Sequence, residues 1–234
     1  MTKLKGILLT EGMHGMISQV EGLAKALDIN YSHHTVETKG FWKVIPPKFT
    51  PISDSVFKKI ECEDVDLIIS CGRKSIIPSL FLKKNSKKKV FNIHIQNPKI
   101  KLDNFDLVVV PEHDNLDGDN VLKTKGAIHY LTSEEIEKDK EYLFSISSKL
   151  RDKNIISLII GGPTQYYDYS DRNIQEIFSK VNYLVKENNL NLVVIPSMRT
   201  PKGTIEHAKI YFGNDHLVLD LSLIHISEPT RLVS

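Results

Sequence analysis

Glu112, His113 and Asp114 stand in a row directly after the apolar run Asp106 to Val110 and the stop at Pro111, and they are the acid–base candidates of this chain. A histidine titrates near neutrality and can take a proton from an acceptor hydroxyl while a carboxylate orients it. Two plainer readings compete. Glu112, His113, Asp114 and Asp117 lie close enough to suggest a metal, but no second histidine sits at ligand spacing and Gly118-Asp119-Asn120 reads as a turn. Alternatively, His113 only hydrogen-bonds its own loop.

Other apolar runs end in the same way. Gly12, His14 and Gly15 follow the run Leu4 to Thr10 and precede a helical pattern, where glycines let a backbone approach an anion at a helix N-terminus. They do not make the dinucleotide GxGxxG and no Walker lysine follows, so a tight strand-to-helix turn explains them equally well. Gln19 could reach back to a ligand there, whereas Glu21 reads as solvent-facing. Gly72 and Arg73 follow Asp66 to Ser70. An arginine at such a place offers a bidentate clamp for phosphate or carboxylate, against the plain alternative of a solvated loop residue. Gln96 and Asn97 end the next run with Pro98; their amides could read a hydroxyl-rich ligand or a nucleobase, or simply make a turn. Gly126, after Thr124, reads as a glycine of close backbone approach.

Further on, Gly161 and Gly162 follow Ile155 to Ile160, and Ser197, Arg199 and Thr200 follow Leu192 to Ile195, offering hydroxyls and a guanidinium to a diphosphate. Tyr166, Tyr167 and Tyr169 either line the same place or pack a surface.

Positioning these groups requires buried strands whose carboxyl ends share one edge, as in open α/β sheets. The chain supplies them: strand-like runs at 4–10, 31–36, 66–70, 90–95, 106–110 and 124–128 alternate with helical stretches through about Leu27 and from Ile76 to Lys84. The segment with Pro46, Pro47 and Pro51 is too proline-rich for a regular element. Glu134 to Arg151 reads as a charged amphipathic helix leading to a second unit with strands at 155–160 and 192–195 and a helix from Arg172 to Asn188. The expected fold is therefore α/β, with two Rossmann-like parallel-sheet domains, 1–151 and 152–220, facing one another across a cleft.

Composition agrees with a globular protein. The 234 residues are 41% hydrophobic and 26% charged with a formal charge of +2, which gives no electrostatic argument for nucleic acid. No apolar run approaches the ~20 residues that span a bilayer, and the first residues lack the ~7–15-residue apolar core of a signal peptide. Cys62 and Cys71 form no CxxC pair and read as reduced thiols. The lysines at 83, 84, 87, 88 and 89 read as a solvated helix end.

Leu221-Ser-Leu-Ile-His-Ile-Ser-Glu-Pro-Thr-Arg231 looks like one reading frame of a sequencing-library adapter. On that reading 221–234 is a non-natural tail, the second domain is incomplete, and His225, Glu228 and Arg231 carry no function. The chain as written is then expected to fold its first domain and to be catalytically inactive.

Taken in order, Asp66 to Arg73, Gln96-Asn-Pro98, Phe105 to Asp114, Asn120-Val121, Thr124 with Gly126-Ala127, Ile160-Gly-Gly162 and Ser197-Met-Arg-Thr-Pro201 resemble the mitochondrial-fission "elongated mitochondria" family. The resemblance runs from about Gly6 to Pro201, with Pro111 to Asp114 its most specific part. Met198 departs from it, standing where the family usually has arginine. Bacterial members of this family are regarded as glycosyltransferases of the two-Rossmann GT-B type. The resemblance implies transfer of a sugar from a nucleoside-diphosphate sugar to an envelope glycan or lipid acceptor, without a metal or other cofactor. His113 would be the base, and Gly161, Gly162, Ser197, Arg199 and Thr200 the donor contacts. It implies a cytoplasmic enzyme with a peripheral place at the inner face of a membrane and no nucleic-acid partner. Two alternatives stay open: a non-catalytic recruitment scaffold, as the family name suggests, and a nucleotide-sugar epimerase.

Overall fold

A computed structural model describes residues 3–61, 64–164, 166, 169–197 and 199–220. Cys62, Tyr167, Met198 and the 221–234 tail lie outside the described residues. The chain divides into two compact units, the first ending at Leu131 and the second beginning at Thr132.

The first unit is a parallel sheet whose strands are β1 (Lys5–Thr10), β2 (Asn30–Thr35), β3 (Leu67–Cys71), β4 (Phe91–Ile95), β5 (Leu107–Pro111) and β6 (Val121–Thr124), with helices α1 (His14–Ala26) and α2 (Ile76–Asn85). Spatial order is β2-β1-β3-β4-β5-β6, and every pairing is parallel. Alternate residues of each strand feed opposite faces. Ile7, Leu9, Ile68, Val108 and Val110 pack against α2 residues Ile76, Ile77 and Leu80 and against Val56 and Phe57. Leu8, Ile69, Cys71, Ile93, Ile95 and Val109 pack on the other side with Val20 and Ala24 of α1. Coverage of both faces explains why these strands read as continuous apolar runs, and each such side chain contributes about 1.5–3 kcal/mol when buried. Chain order reverses between β1 and β3, so the switch point of this sheet lies between the loops after those two strands.

The second unit opens on α3 (Ser133–Ile146), whose first turn is closed by a capping box in which the Thr132 hydroxyl accepts from the Glu135 N–H and the Glu135 carboxylate accepts from the Thr132 N–H. The helix expected to run to Arg151 stops at Ile146; Ser147 turns extended, and a short 3-10 turn at 148–151 buries Leu150. Strands β7 (Ile155–Ile160), β8 (Asn191–Pro196) and β9 (Leu217–Val218) form a parallel sheet in that order, with helices α4 (Asp171–Glu187) and α5 (Lys202–Phe212). Ile174, Phe178 and Val185 of α4 and Ala208 and Phe212 of α5 pack with Leu192 and Val194. Both units are thus Rossmann-like α/β layers.

Further differences from the sequence reading concern β6, α5 and β9. The sixth strand is Val121–Thr124 rather than 124–128, because Val121 is in register with Val108 and the Asn120 amide donates to the carbonyls of Leu102 and Phe105, each at 2.9 Å. Helix α5 and β9 lie where no element was expected. No helix among the described residues is long and apolar enough to cross a membrane.

Candidate functional site

Because all strands of the first unit run the same way, the loops that carry Gly12, Gly72, Arg73, Gln96, Asn97, Glu112 to Asp114 and Gly126 leave one edge of the sheet. At the switch point the arrangement is closed by the chain itself. The Glu11 carboxylate accepts from the Lys74 N–H at 3.0 Å and pairs with the Lys74 Nζ at 3.0 Å, with its side chain only 15% exposed. Gly72, at φ +92°, has to be glycine: a Cβ there would lie 2.7 Å from the Met16 Sδ and 3.0 Å from Glu11 Oε1.

The turn after β1 accordingly favours the plain reading. Gly12 takes φ +83° and donates its N–H to the Thr10 hydroxyl at 3.1 Å, which in turn lies 2.9 Å from His33 Nε2. A phosphate at this place would face the Glu11 carboxylate. His14 and Gly15 are exposed, a Cβ on Gly15 would meet nothing within 4 Å, and the Gln19 amide donates back to the Gly15 carbonyl at 2.9 Å. Arg73 is exposed and donates from Nη2 to the Lys43 carbonyl at 2.8 Å, so it ties down the 40–43 segment. Glu21, expected at the surface, is buried on α1 at 7% exposure.

At the end of β4, Gln96 holds φ +86°, a left-handed backbone that a non-glycine residue adopts only when its surroundings enforce it; its N–H donates to the Val109 carbonyl at 2.8 Å. Asn97 accepts from the Lys99 N–H through Oδ1 at 3.0 Å, an ordinary Asx turn. Glu112 to Asp114 form a 3-10 turn after β5, closed by Asn115 in the left-handed region at φ 48°. The His113 imidazole is 77% exposed, and its Nε2 lies 3.7 Å from Asp114 Oδ1. That distance exceeds a hydrogen bond, so Asp114 does not lock the ring. Asp117 pairs with Lys123 at 2.7 Å, and Thr124 donates to the Gly126 carbonyl at 2.7 Å. Gly126 has no neighbour that a Cβ would meet within 4 Å. Among the described residues no group of three or more histidine, cysteine, aspartate or glutamate side chains gathers as a metal site.

Sequence reasoning passed over a buried polar pair inside the same sheet. His94 on β4 and Ser70 on β3 meet through Nδ1 and Oγ at 2.9 Å, and the His94 ring stacks on Phe105 at 5.0 Å. Burial pushes the imidazole down to about 3, so it is neutral and structural. The clue was present in Asn92-Ile-His-Ile95, where polar residues alternate within a strand that lies in mid-sheet. Cys71, beside Ser70, is a free buried thiol pushed up to about 12 by burial and then by the Glu11 charge, which leaves it unreactive.

In the second unit the expected donor residues are brought together. Thr200 is buried; its Oγ1 accepts from the Ser197 N–H at 2.8 Å and lies 2.7 Å from the Ile160 carbonyl and 2.8 Å from that of Gly161. The hydroxyl thus staples the loops after β7 and β8. Gly162 is buried directly against Arg199: a Cβ would lie 2.4 Å from both the Cβ and the carbonyl oxygen of Arg199. The Ser197 hydroxyl accepts from the Arg199 N–H at 3.3 Å. The Arg199 side chain is exposed, and among the described residues its guanidinium has no hydrogen-bond or ion-pair partner. Helix α5 begins immediately afterwards behind Pro201, with no side-chain cap and no acidic residue in its first turn. The uncapped backbone N–H groups at the start of α5 and the exposed Arg199 side chain thus stand close together in the chain, a combination that suits an anion. Tyr169 is half-buried, its hydroxyl 3.6 Å from where a Gly161 Cβ would be, and Tyr166 is exposed.

A family model described as mitochondrial fission ELM1 matches residues 14–219. No curated protein matches the chain. Among solved structures, the UDP-N-acetylglucosamine 2-epimerase from Rickettsia bellii is 13% identical with a TM-score of 0.46, the alignment covering 94% of this chain and 69% of that one. The S. aureus MnaA complex with UDP is 15% identical with a TM-score of 0.47, covering 97% of this chain and 71% of that one.

Proposed function

We propose, for a chain that belongs to the mitochondrial fission ELM1 family, that it handles a nucleoside-diphosphate sugar and that the second unit holds the diphosphate. One observation carries this reading: Gly162 seats against the Arg199 backbone and so fixes the Ser197–Arg199 loop just before the start of α5, where no side chain caps the helix and, among the described residues, none pairs with the Arg199 guanidinium. A diphosphate carries two negative groups that such a surface would stabilise, and the same contacts strengthen as charge develops on the leaving group.

The reaction proposed is glycosyl transfer to a glycan or lipid acceptor. His113 would take the acceptor proton; its exposure leaves the ring open to an incoming hydroxyl, with Glu112 and Asp114 beside it in the same turn. Glu11 already occupies the N–H and the Nζ of Lys74 at the first unit's switch point and places a negative charge there, which supports assigning the charged donor to the other unit.

The recruitment-scaffold reading is favoured by one feature, the absence of a hydrogen bond between Asp114 and His113. A product assay separates the readings. Transfer releases a nucleoside diphosphate, an epimerase yields a second free sugar nucleotide, and a scaffold yields neither. His113→Ala should lower transfer by about 10²–10⁴-fold. Turnover that survives this change intact would remove His113 from the mechanism.

A further inference from the structure

The segment between β2 and β3 leaves the sheet at its carboxyl edge and is built from three 3-10 turns, at Gly40–Lys43, Pro47–Phe49 and Asp54–Val56. It is held firmly. Lys39 donates its N–H to the Val56 carbonyl at 2.7 Å, Lys58 donates its N–H to the Glu37 carbonyl at 2.8 Å, and Arg73 clamps the Lys43 carbonyl at 2.8 Å. Trp42 turns inward onto the core that contains Val56 and Phe57. Its neighbours do the opposite: Phe41 is 65% exposed, Val44 73%, Phe49 71% and Ile52 41%.

An anchored loop has no need to present four large apolar side chains to water, and a cluster of this kind marks an interaction surface. Its charge identifies the partner. Lys39, Lys43 and Lys48 are all exposed, and no aspartate or glutamate occurs from Thr38 to Ser53. Aromatic and aliphatic tips interleaved with lysines, with no acid among them, match an interface where acyl chains lie beneath negatively charged headgroups. We propose that the 40–52 segment docks the protein onto an anionic lipid surface, with Phe41, Val44 and Phe49 entering the headgroup layer and Lys43 and Lys48 held at the phosphates. This surface belongs to the first unit and stands independently of the nucleotide-sugar reading.

The test is co-sedimentation of the whole chain with vesicles of phosphatidylcholine alone or mixed with phosphatidylglycerol, in low and high salt. Binding should require phosphatidylglycerol and weaken with salt. It should fall about tenfold or more in Phe41→Ser/Phe49→Ser and again in Lys43→Glu/Lys48→Glu. Circular dichroism establishes that each variant is folded, and the charge-reversal variant decides the matter where the serine variant is not. Failure to sediment with anionic vesicles, or sedimentation unchanged in both variants, would overturn the proposal. So would a concentration-dependent dimer abolished by the serine variant without vesicle binding, since the surface would then be a protein contact.

Discussion

Gly162→Ala should cost the protein on the order of 2–4 kcal/mol and abolish nucleotide binding. The added Cβ would stand 2.4 Å from the Arg199 carbonyl oxygen and Cβ, and neither of those atoms can rotate away. The loop after β8 must move, and in moving it strains the Thr200 hydroxyl, which accepts from the Ser197 N–H at 2.8 Å and reaches the Ile160 carbonyl at 2.7 Å. Gly15→Ala supplies the contrast. Gly15 lies in α1 with nothing within 4 Å of its Cβ position, so alanine there should be neutral or should stabilise by about 0.5–1 kcal/mol through helix propensity. Urea unfolding of both variants measures the difference. A Gly162→Ala protein with an unchanged midpoint would show that the two loops do not depend on this contact.

The second large effect is a loss of stability in acid through His94. The imidazole is held at about 3 by burial, against an ordinary 6.5. Above 6.5 the ring is neutral whether the chain is folded or not; below it the unfolded chain takes up a proton that the folded one refuses. Stability therefore falls as pH drops from 6.5 towards 3, by about 1.4 kcal/mol per pH unit for this single group. His94→Gln removes that proton, while the Ser70 hydroxyl can still donate to the Ile93 carbonyl at 3.2 Å. Its unfolding free energy should depend on pH less steeply between pH 4 and 6, by about one proton. The partly buried His216, lowered in the same direction, is retained in both proteins and cancels from the comparison. Equal slopes would mean that His94 does not govern the acid response.

The layered architecture was legible because strands covered on both faces leave no ambiguity: Leu67–Cys71 and Leu107–Pro111 each overlap the run that reads as a buried strand, displaced from it by one residue. Helix α5 was missed for a local reason. Gly203 and Thr204 are weak helix formers at its start, and its buried positions, Thr204, Ile205, Ala208 and Phe212, include only two large apolar residues. The end of α3 was read too far because its charged pattern continues through Lys149 and Arg151, whereas burial of Leu150 ends the helix by tertiary packing. Which residues follow each strand was also readable. Their interactions were not. Nothing in the sequence announces that Glu11 reaches Lys74, that Arg73 clamps the Lys43 carbonyl, or that Thr200 faces inward while Arg199 is exposed. These depend on loops brought together from positions tens of residues apart, where neither periodicity nor spacing carries information.

The account turns on an anion-binding surface in the second unit, and isothermal titration of nucleoside diphosphates and their sugars tests it most directly. Saturable binding by the unaltered chain, weakened about tenfold or more in Arg199→Ala and unaffected by Arg73→Ala, is the predicted result. Absence of binding across the panel, or binding indifferent to Arg199, would contradict it and leave the recruitment scaffold as the better description of this protein.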